Sequence, residues 1–199
     1  TARVLVNAAG PWIGPIADTV IRRPLSTPVR LVKGSHIVIR RRFDHDYGYL
    51  LQAADRRVVF VLPFTDDFTL IGTTDQNFVG DLGSLAPDPT EIAYLCDAVN
   101  QYFRDKVIPD ELVWSFAGVR ALYDDHADRP EDVTRDYELV LDQSDGVAPL
   151  LTIYGGKITT HRKLAEAAML KIGHYFGGRP PWTANSKLPG GEFLPEEFN

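Results

Sequence analysis

The first two thirds of the chain alternate short apolar runs with polar turns, which predicts mainly β-strands. Residues 4–6 predict the end of a buried strand. Residues 30–40 predict a longer strand with a bend or bulge where Gly34 interrupts the apolar pattern. Three further runs, rich in β-branched and aromatic residues, predict an antiparallel meander. These runs are 49–51, 58–62 and 68–72.

Two segments of this region have helical character instead. A short helix is predicted from about Trp12 to Val20. Asp88 and Glu91 have the spacing of a helix N-terminus, and apolar residues follow them three or four positions apart. This pattern predicts a helix of about three to four turns whose apolar stripe lies on the sheet.

The last third of the chain returns to strands and then to a helix. Residues 112–120 predict a strand, and residues 137–141 are expected to pair with residues 150–154 across a turn. The last of these strands ends at Gly155-Gly156, and a helix then runs toward Phe176. Together the segments predict an α+β fold built on an antiparallel sheet with helices.

Composition and charge limit the kinds of partner. The 199 residues include 21 basic and 27 acidic ones, a formal net charge of -6, which argues against binding nucleic acid. An anionic ligand must therefore meet a local cluster of cations. Cys96 is the single cysteine, so no internal disulfide forms, and this fits a reducing compartment. Neither a bilayer-spanning run of roughly 20 apolar residues nor the ligand spacing of a metal site appears.

The junction at Gly155-Gly156 is a candidate anion or carbonyl site. Two glycines separate a strand from a helix that Thr159 and Thr160 are expected to cap. Backbone N–H groups and the positive end of the helix dipole can then face a ligand oxygen. The spacing matches neither a phosphate-binding Walker A loop nor the G-x-G-x-x-G dinucleotide motif. An ordinary glycine turn into a capped helix explains the local pattern equally well.

Three cations lie at the ends of predicted strand segments: Arg120, Arg135 and Lys157. Guanidinium groups bind phosphate through forked hydrogen bonds, and a lysine adds a point charge. If these side chains converge, they suit a dianionic phosphate monoester. Taken by themselves, cations at strand ends are more often solvated surface residues.

His36 is the candidate for proton transfer. It follows the Gly34-Ser35 step inside a strand, where the backbone can approach a ligand closely. Judged alone, such a histidine is more often structural. A serine nucleophile motif is missing and nothing activates Cys96, so covalent catalysis has little support.

Six segments in order resemble the respiratory FAD-dependent glycerol-3-phosphate dehydrogenases. They span nearly the whole chain, and the second and sixth narrow the resemblance to the glycerol-phosphate branch of a wider flavoprotein family. The segments are Val6-Asn7-Ala8-Ala9-Gly10-Pro11-Trp12, Arg30-Leu31-Val32-Lys33-Gly34-Ser35-His36, Gly72-Thr73-Thr74-Asp75, Phe116-Ala117-Gly118-Val119-Arg120, Thr134-Arg135-Asp136-Tyr137 and Gly155-Gly156-Lys157-Ile158-Thr159-Thr160.

The resemblance implies an FAD domain of the glutathione-reductase type that is interrupted by an antiparallel substrate-binding sheet. Residues 1–25 would be the end of an FAD-domain strand and a connecting helix, and residues 26–133 the substrate-binding sheet. Residues 134–176 would return to the FAD domain, and residues 177–199 would be a linker or tail toward a further domain. The G-x-G-x-x-G segment of the family is absent here.

The implied reaction is oxidation of sn-glycerol 3-phosphate to dihydroxyacetone phosphate with FAD, electrons passing to quinone. By the same resemblance, His36 and Arg120 would lie near the reacting carbon, and Arg135 and Lys157 near the phosphate. FAD would contact residues of the first and sixth segments, namely Ala8, Ala9, Gly10, Trp12, Gly155, Gly156, Lys157, Ile158 and Thr159. The four residues His36, Arg120, Arg135 and Lys157 are therefore expected around one cavity.

Further expectations concern the complete protein. The chain opens at Thr1 inside a predicted strand, so we expect a piece of a longer protein. Because the G-x-G-x-x-G segment is absent, we expect this piece to bind FAD weakly or not at all and to show no turnover alone. The resemblance implies a cytoplasmic protein, with peripheral association of the whole protein at the cytoplasmic face of the inner membrane. Two alternatives stay open: a glycerol-3-phosphate oxidase that uses oxygen, and a non-catalytic module that binds a phosphate ligand.

Overall fold

The computed structural model describes residues 2–124, 136–193 and 195–197. The chain forms two compact units, each considered by itself. The central unit comprises residues 9–134, and the terminal unit comprises residues 1–8 and 135–199. The central unit is continuous in sequence and separates the two parts of the terminal unit. The four domain segments expected from the sequence stay a prediction.

Within the described residues there are strands, three α-helices and several shorter turns of helix. The strands are β1 (Leu5–Asn7), β2 (Val29–Arg40), β3 (Tyr49–Gln52), β4 (Val58–Phe64), β5 (Phe68–Gly72), β6 (Gln76–Asn77), β7 (Leu112–Tyr123), β8 (Glu138–Asp142) and β9 (Leu150–Tyr154). The α-helices are α1 (Ile13–Ile16), α2 (Pro89–Asn100) and α3 (His161–Ile172). The 3₁₀ turns are Gly10–Trp12, Leu82–Ser84, Pro109–Glu111, Ile158–Thr160, Gly173–Phe176, Thr183–Asn185 and Pro195–Glu197, and Ala17–Ile21 is a π-helical turn.

The central unit is built on an antiparallel sheet of six strands. Its order is β3-β4-β5-β2-β6, and β7 pairs along the other edge of β2. The predicted meander is confirmed as β3, β4 and β5. The predicted bend at Gly34 is wrong, because β2 continues through it and pairs Gly34 in register with Gly118. The irregularity in this pairing lies between Val38 and Ile39 instead.

Helix α2 forms where the capping residues predicted it. The Asp88 side chain accepts hydrogen bonds from the Thr90 and Glu91 N–H groups, and Glu91 accepts one from the Asp88 N–H. This reciprocal arrangement satisfies amides that have no partner inside the helix. The apolar stripe of α2 packs on one face of the sheet. The buried residues there include Ile37, Val59, Val61, Ile71, Leu95, Cys96 and Val99.

The terminal unit has a three-stranded sheet and the helix α3. β9 is central, with β1 parallel to it and β8 antiparallel to it. The expected pairing of β8 with β9 is confirmed. Leu139 and Leu151 of the sheet pack against Ala168 and Ile172 of α3, which form the small core of the unit. Among the described residues, no helix combines the length and apolar character that a membrane span requires.

The end of β9 differs in one detail from the expectation. α3 begins at His161, and the Thr160 side chain makes no cap hydrogen bond to it. Thr160 Oγ1 instead accepts a hydrogen bond from the Lys157 N–H at 3.2 Å, and its hydroxyl donates to the Lys157 carbonyl at 3.0 Å. The hydroxyl therefore closes the preceding 3₁₀ turn rather than capping α3.

Candidate active site

His36 is half-buried on the face of the central sheet opposite α2. Its ring stacks on Phe116, the residue paired with it on β7, with 5.0 Å between ring centroids and 5° between ring planes. On its other side His36 pairs with Gly72 of β5. A Cβ at Gly72 would lie 2.1 Å from His36 Cδ2, so only glycine leaves room for the imidazole. Phe116 and Gly72 together fix the plane of the ring.

The surroundings of His36 favour its neutral form. Burial lowers the pKa of His36 below its ordinary value of 6.5, and the positive charge of Arg120 lowers it further. The buried Nδ1 atom has no hydrogen-bond partner among the described residues. A neutral imidazole can accept a proton from a bound hydroxyl, which is what a general base requires.

Arg120 lies on the same face, four residue pairs along the strands from His36. It pairs with Val32 of β2, and its Nη1 donates a hydrogen bond to Asp75 Oδ1 at 2.8 Å. A Cβ at Gly34 would lie 3.0 Å from Arg120 Nη1 and 2.6 Å from Thr73 Oγ1. The guanidinium and the Thr73 hydroxyl therefore come close to the Gly34 backbone, which explains the need for a glycine in mid-strand.

Two paired glycines separate His36 from Arg120 along the sheet. Gly34 lies beside Gly118, and Gly118 is exposed, with no atom within 4 Å of where its Cβ would be. The backbone at Gly118 is thus open between an imidazole and a guanidinium. A small polar molecule can reach this backbone, with a base at one end and a fixed positive charge at the other.

The glycine junction belongs to the terminal unit. Gly155 and Gly156 have φ angles of +66° and +97°, which favour glycine. A Cβ would lie 2.9 Å from the Asp136 carbonyl oxygen at Gly155 and 2.6 Å from Leu164 Cδ1 at Gly156. Both glycines are therefore required by conformation and by close packing.

The helix start after this junction offers two amides to a ligand. Two backbone amides already have partners within the turn. The Lys157 N–H donates a hydrogen bond to Thr160 Oγ1, and the Thr160 N–H donates one to the Lys157 carbonyl. Ile158 and Thr159 come between them, and the first amides of a helix have no acceptor inside it. Both residues are exposed, Ile158 to 86%. A carbonyl oxygen placed there would also meet the positive end of the helix dipole.

The predicted site residues divide between the two units. His36, Arg120, Ala9, Gly10 and Trp12 lie in the central unit. Ala8, Gly155, Gly156, Lys157, Ile158 and Thr159 lie in the terminal unit. Arg135 lies outside the described residues. The structure brings His36 and Arg120 together, and the convergence of all four residues around one cavity stays a prediction.

Two further polar residues of the His36 face had no role assigned from the sequence. Asp75 is the acidic partner of Arg120, and Thr73 lies over Gly34. Both belong to the segment Gly72-Thr73-Thr74-Asp75, which contributes to the family resemblance. The signal was therefore present, but only the paired strands show which side chains accompany Arg120.

These features define an α+β protein with a histidine and an arginine on one face of an antiparallel sheet and, in its other unit, a glycine turn at a helix start. The chain belongs to the FAD dependent oxidoreductase family, which matches residues 1–162. The family resemblance stated from the six sequence segments is thereby confirmed at the level of the flavoprotein family.

Within this family, the chain is similar to curated dehydrogenases of polyol phosphates. The chain is 46% identical over 191 residues to the aerobic glycerol-3-phosphate dehydrogenase of Escherichia coli strain K12, covering 96% of this chain and 38% of that protein. It is 45% identical over 200 residues to the D-erythritol 1-phosphate dehydrogenase of Brucella abortus strain 2308, covering 99% of this chain and 39% of that protein. The chain thus spans less than two fifths of the length of these relatives.

A solved structure supports the fold. The glycerol-3-phosphate dehydrogenase from Bacillus halodurans, complexed with FAD, superimposes with a TM-score of 0.79 at 29% identity, covering 98% of this chain and 36% of that one. The predicted fold class is therefore confirmed: an antiparallel sheet with few helices, together with part of a flavoprotein fold of this type.

Proposed function

We propose that the complete protein containing this chain oxidises sn-glycerol 3-phosphate to dihydroxyacetone phosphate with FAD and passes the electrons to quinone. The observation that carries the proposal is that the half-buried His36, whose pKa is lowered, lies on the same face of the central sheet as Arg120. The relatives named glycerol-3-phosphate dehydrogenase support it. Bound FAD would supply the acceptor for the hydride.

His36 and Arg120 have distinct tasks in this proposal. His36 accepts the proton of the substrate's secondary hydroxyl, and its lowered pKa keeps it ready to do so near neutral pH. Arg120, held by Asp75, stabilises negative charge that develops on the same oxygen. Open backbone at Gly118 leaves room for the carbon chain between them.

The phosphate is assigned to Arg135 and Lys157. Lys157 is exposed beside the glycine junction, and two such cations suit a dianionic monoester. The role of Arg135 rests on the sequence resemblance alone, because this residue lies outside the described part of the chain. Fixing the phosphate places the carbinol carbon for reaction, which is the main contribution of the protein when a cofactor does the difficult chemistry.

The residues at the glycine junction fit a flavin carbonyl. Gly155 and Gly156 form a turn that no other residue could adopt without strain, and it leads directly to the exposed amides of Ile158 and Thr159. We assign these two amides to the pyrimidine carbonyl of FAD, where they would stabilise negative charge on reduction. The segment Ala8-Ala9-Gly10 and Trp12 are proposed to line the cofactor as well.

Substrate-dependent dye reduction by the complete protein tests the proposal. We expect glycerol 3-phosphate to reduce a quinone-like dye, and His36→Gln to abolish most of this activity. His174→Gln, the same change at an exposed histidine, serves as the matched control. Loss of activity in both variants, or in neither, would overturn the assignment of His36.

D-erythritol 1-phosphate is a second candidate substrate. The relative named for it is as similar to this chain as the glycerol-phosphate enzymes are, at 45% against 46% and 44% identity. Both compounds are polyol phosphates, and the open space over Gly118 can admit a longer chain. Comparing kcat/KM for the two compounds in one preparation decides between them.

The two alternatives from the sequence are separated by simple assays. An oxidase would form hydrogen peroxide in proportion to substrate, whereas the proposed dehydrogenase reduces a quinone dye with little peroxide. A binding module would give heat on titration of this chain with glycerol phosphate. We expect little heat and no copurifying flavin, and one flavin per chain would contradict this expectation.

The place of action is also a proposal. Transfer of electrons to quinone requires access to a membrane, and we propose peripheral association of the complete protein with the cytoplasmic face of the inner membrane. Fractionation of cells tests this directly. We expect the complete protein in the membrane fraction and its release by high salt or alkaline wash, and recovery only in the soluble fraction would contradict it.

A further inference from the structure

A buried polar network lies behind the strand that carries His36. Glu91, on α2, is only 1% exposed. Its Oε1 accepts a hydrogen bond from the Thr74 hydroxyl at 2.7 Å. Its Oε2 lies 2.7 Å from the Lys33 ammonium and accepts the Asp88 N–H at 3.0 Å. Every oxygen of this carboxylate is therefore satisfied, as a buried charge requires.

Lys33 is held as a charged partner. Burial by itself would lower the pKa of Lys33, but the hydrogen bond and the negative charge of Glu91 outweigh it and raise that pKa above its ordinary value. Asp88 adds a more distant carboxylate at 3.5 Å. Lys33 therefore stays protonated, and its ammonium remains bound to Glu91 Oε2.

The Thr74 hydroxyl connects this carboxylate to the backbone of β2. Thr74 Oγ1 accepts the Ser35 N–H at 2.9 Å, and the Thr74 N–H donates to the Ser35 carbonyl at 3.4 Å. Ser35 lies between Gly34 and His36, and Thr74 directly precedes Asp75, the partner of Arg120. One buried hydroxyl thus joins the two backbone segments that present the site on the opposite face.

The direction of these hydrogen bonds depends on the carboxylate. An ionised Glu91 can only accept, so the Thr74 hydroxyl must donate to it and keeps its lone pairs for the Ser35 N–H. A glutamine at position 91 would turn an amide NH₂ toward either Thr74 or Lys33. It could not satisfy both the hydroxyl and the ammonium as the carboxylate does.

We propose that Glu91 and Thr74 are positioning residues for the reaction at His36 and Arg120. They orient the two backbone segments from behind without touching the substrate, because Thr74 is bound to the backbone of Ser35 and Glu91 lies on the α2 side of the sheet. This role rests on the proposed function. It assigns a catalytic consequence to a network that would otherwise only stabilise the sheet and helix.

A matched pair of substitutions at Thr74 tests the role in the complete protein. Thr74→Val keeps the shape but removes the hydroxyl, whereas Thr74→Ser keeps the hydroxyl. We expect Thr74→Val to lower kcat about tenfold or more with KM changed less than about threefold, since small misplacements of reacting groups are costly. Thr74→Ser is expected to retain most of kcat, and Glu91→Gln to resemble Thr74→Val.

A control for stability separates positioning from general loosening. Val99→Ala removes apolar contacts of α2 in the same core and should lower the unfolding temperature at least as much as Thr74→Val, with kcat near that of the unaltered protein. If Val99→Ala does not fold, Ala98→Gly in the same helix replaces it. Equal losses of kcat in the control and in Thr74→Val would overturn the proposal, as would an unchanged kcat in Thr74→Val.

Hydrogen exchange of the Ser35 amide gives a readout that is independent of turnover. We expect Thr74→Val to speed this exchange relative to neighbouring amides, and Thr74→Ser to leave it slow. Unchanged exchange in Thr74→Val would overturn the link. If the unaltered complete protein does not oxidise glycerol phosphate, the proposed function fails and the catalytic role fails with it. If the unaltered protein oxidises glycerol phosphate and the Thr74 and Glu91 variants have the same kcat, the proposed function stands and only the positioning role fails.

Discussion

Strand β2 presents Lys33 and Ile37 to α2 and presents Gly34 and His36 to the open face of the same sheet. On the α2 side, Ile37 is fully buried in the core and Lys33 forms an ion pair with the buried Glu91. On the open side, a glycine replaces a side chain and a histidine keeps a buried nitrogen without a partner among the described residues. The comparison shows that one strand carries core and ion-pair residues on one face and the candidate catalytic histidine on the other, because successive side chains point to opposite faces.

The largest effect is expected on the open face. His36→Gln should lower kcat/KM of the complete protein about 10²–10⁴-fold, the usual contribution of a general base, and should change stability little. Steady-state kinetics with glycerol 3-phosphate and chemical denaturation measure the two effects. A loss of activity smaller than about tenfold would contradict the role of His36.

On the α2 face, the largest effect of a substitution should be on stability. Ile37→Ala removes a fully buried side chain and should lower the free energy of unfolding by about 2–5 kcal/mol. Leu50→Ala, on a strand of the same sheet where the side chain is 63% exposed, should change it by about 0.5 kcal/mol or less. Urea denaturation of both variants measures the contrast, and similar losses would contradict the assignment of the two positions.

The glycine pair sharpens the comparison within the open face. Gly34→Ala would bring a Cβ against Thr73 Oγ1 and Arg120 Nη1, so we expect a stability loss of about 1–3 kcal/mol. Gly118→Ala, its partner on β7, meets no atom within 4 Å and should be neutral or slightly stabilising. Thermal unfolding of the two variants decides, and an equal cost would mean that Arg120 and Thr73 lie elsewhere.

A smaller effect is expected at the start of α2. Asp88→Ala removes the side-chain cap and should cost about 1 kcal/mol, whereas Asp88→Asn should retain most of the cap. Hydrogen bonds from Thr90 and Glu91 hold the pKa of Asp88 at about 2 in the folded chain. Its contribution to stability is therefore present above pH 3.8 and is lost as the pH falls toward 2. Denaturation at several pH values in both variants measures it.

The smallest effect is a change in the titration of His36. Its folded pKa is lowered, so the unfolded chain binds more protons below pH 6.5 and stability falls as the pH decreases through that range. Arg120→Gln removes a nearby positive charge and should raise the pKa of His36 toward its ordinary value. NMR titration of the imidazole follows this shift. A lower pKa in the variant would contradict the proximity of the two groups.

Local sequence patterns were sufficient to predict the elements whose contacts are between residues close in sequence. The Asp88–Glu91 spacing predicted α2 because a capping box is a short-range signal. The apolar runs predicted the β3–β4–β5 meander because its paired strands follow one another in the sequence. Gly155-Gly156 was identified as a turn into a helix, and its φ angles agree with that expectation.

Features that depend on distant pairing could not be predicted in the same way. Gly34 was interpreted as a bend, because no local signal shows that it lies beside Gly118. The Thr74–Glu91 hydrogen bond joins the connection between β5 and β6 to helix α2, and hydrophobic periodicity carries no information on it. Arg135 lies outside the described residues, so its predicted contact with phosphate stays a prediction.

The parallel pairing of β1 with β9 has a consequence for biosynthesis. Leu5 lies beside Leu150, so the ribosome must produce every residue of the central unit before β1 meets its neighbour. At roughly 5–20 residues per second, the delay is on the order of ten seconds. The parallel β1–β9 pair therefore forms only after the central unit has been synthesised.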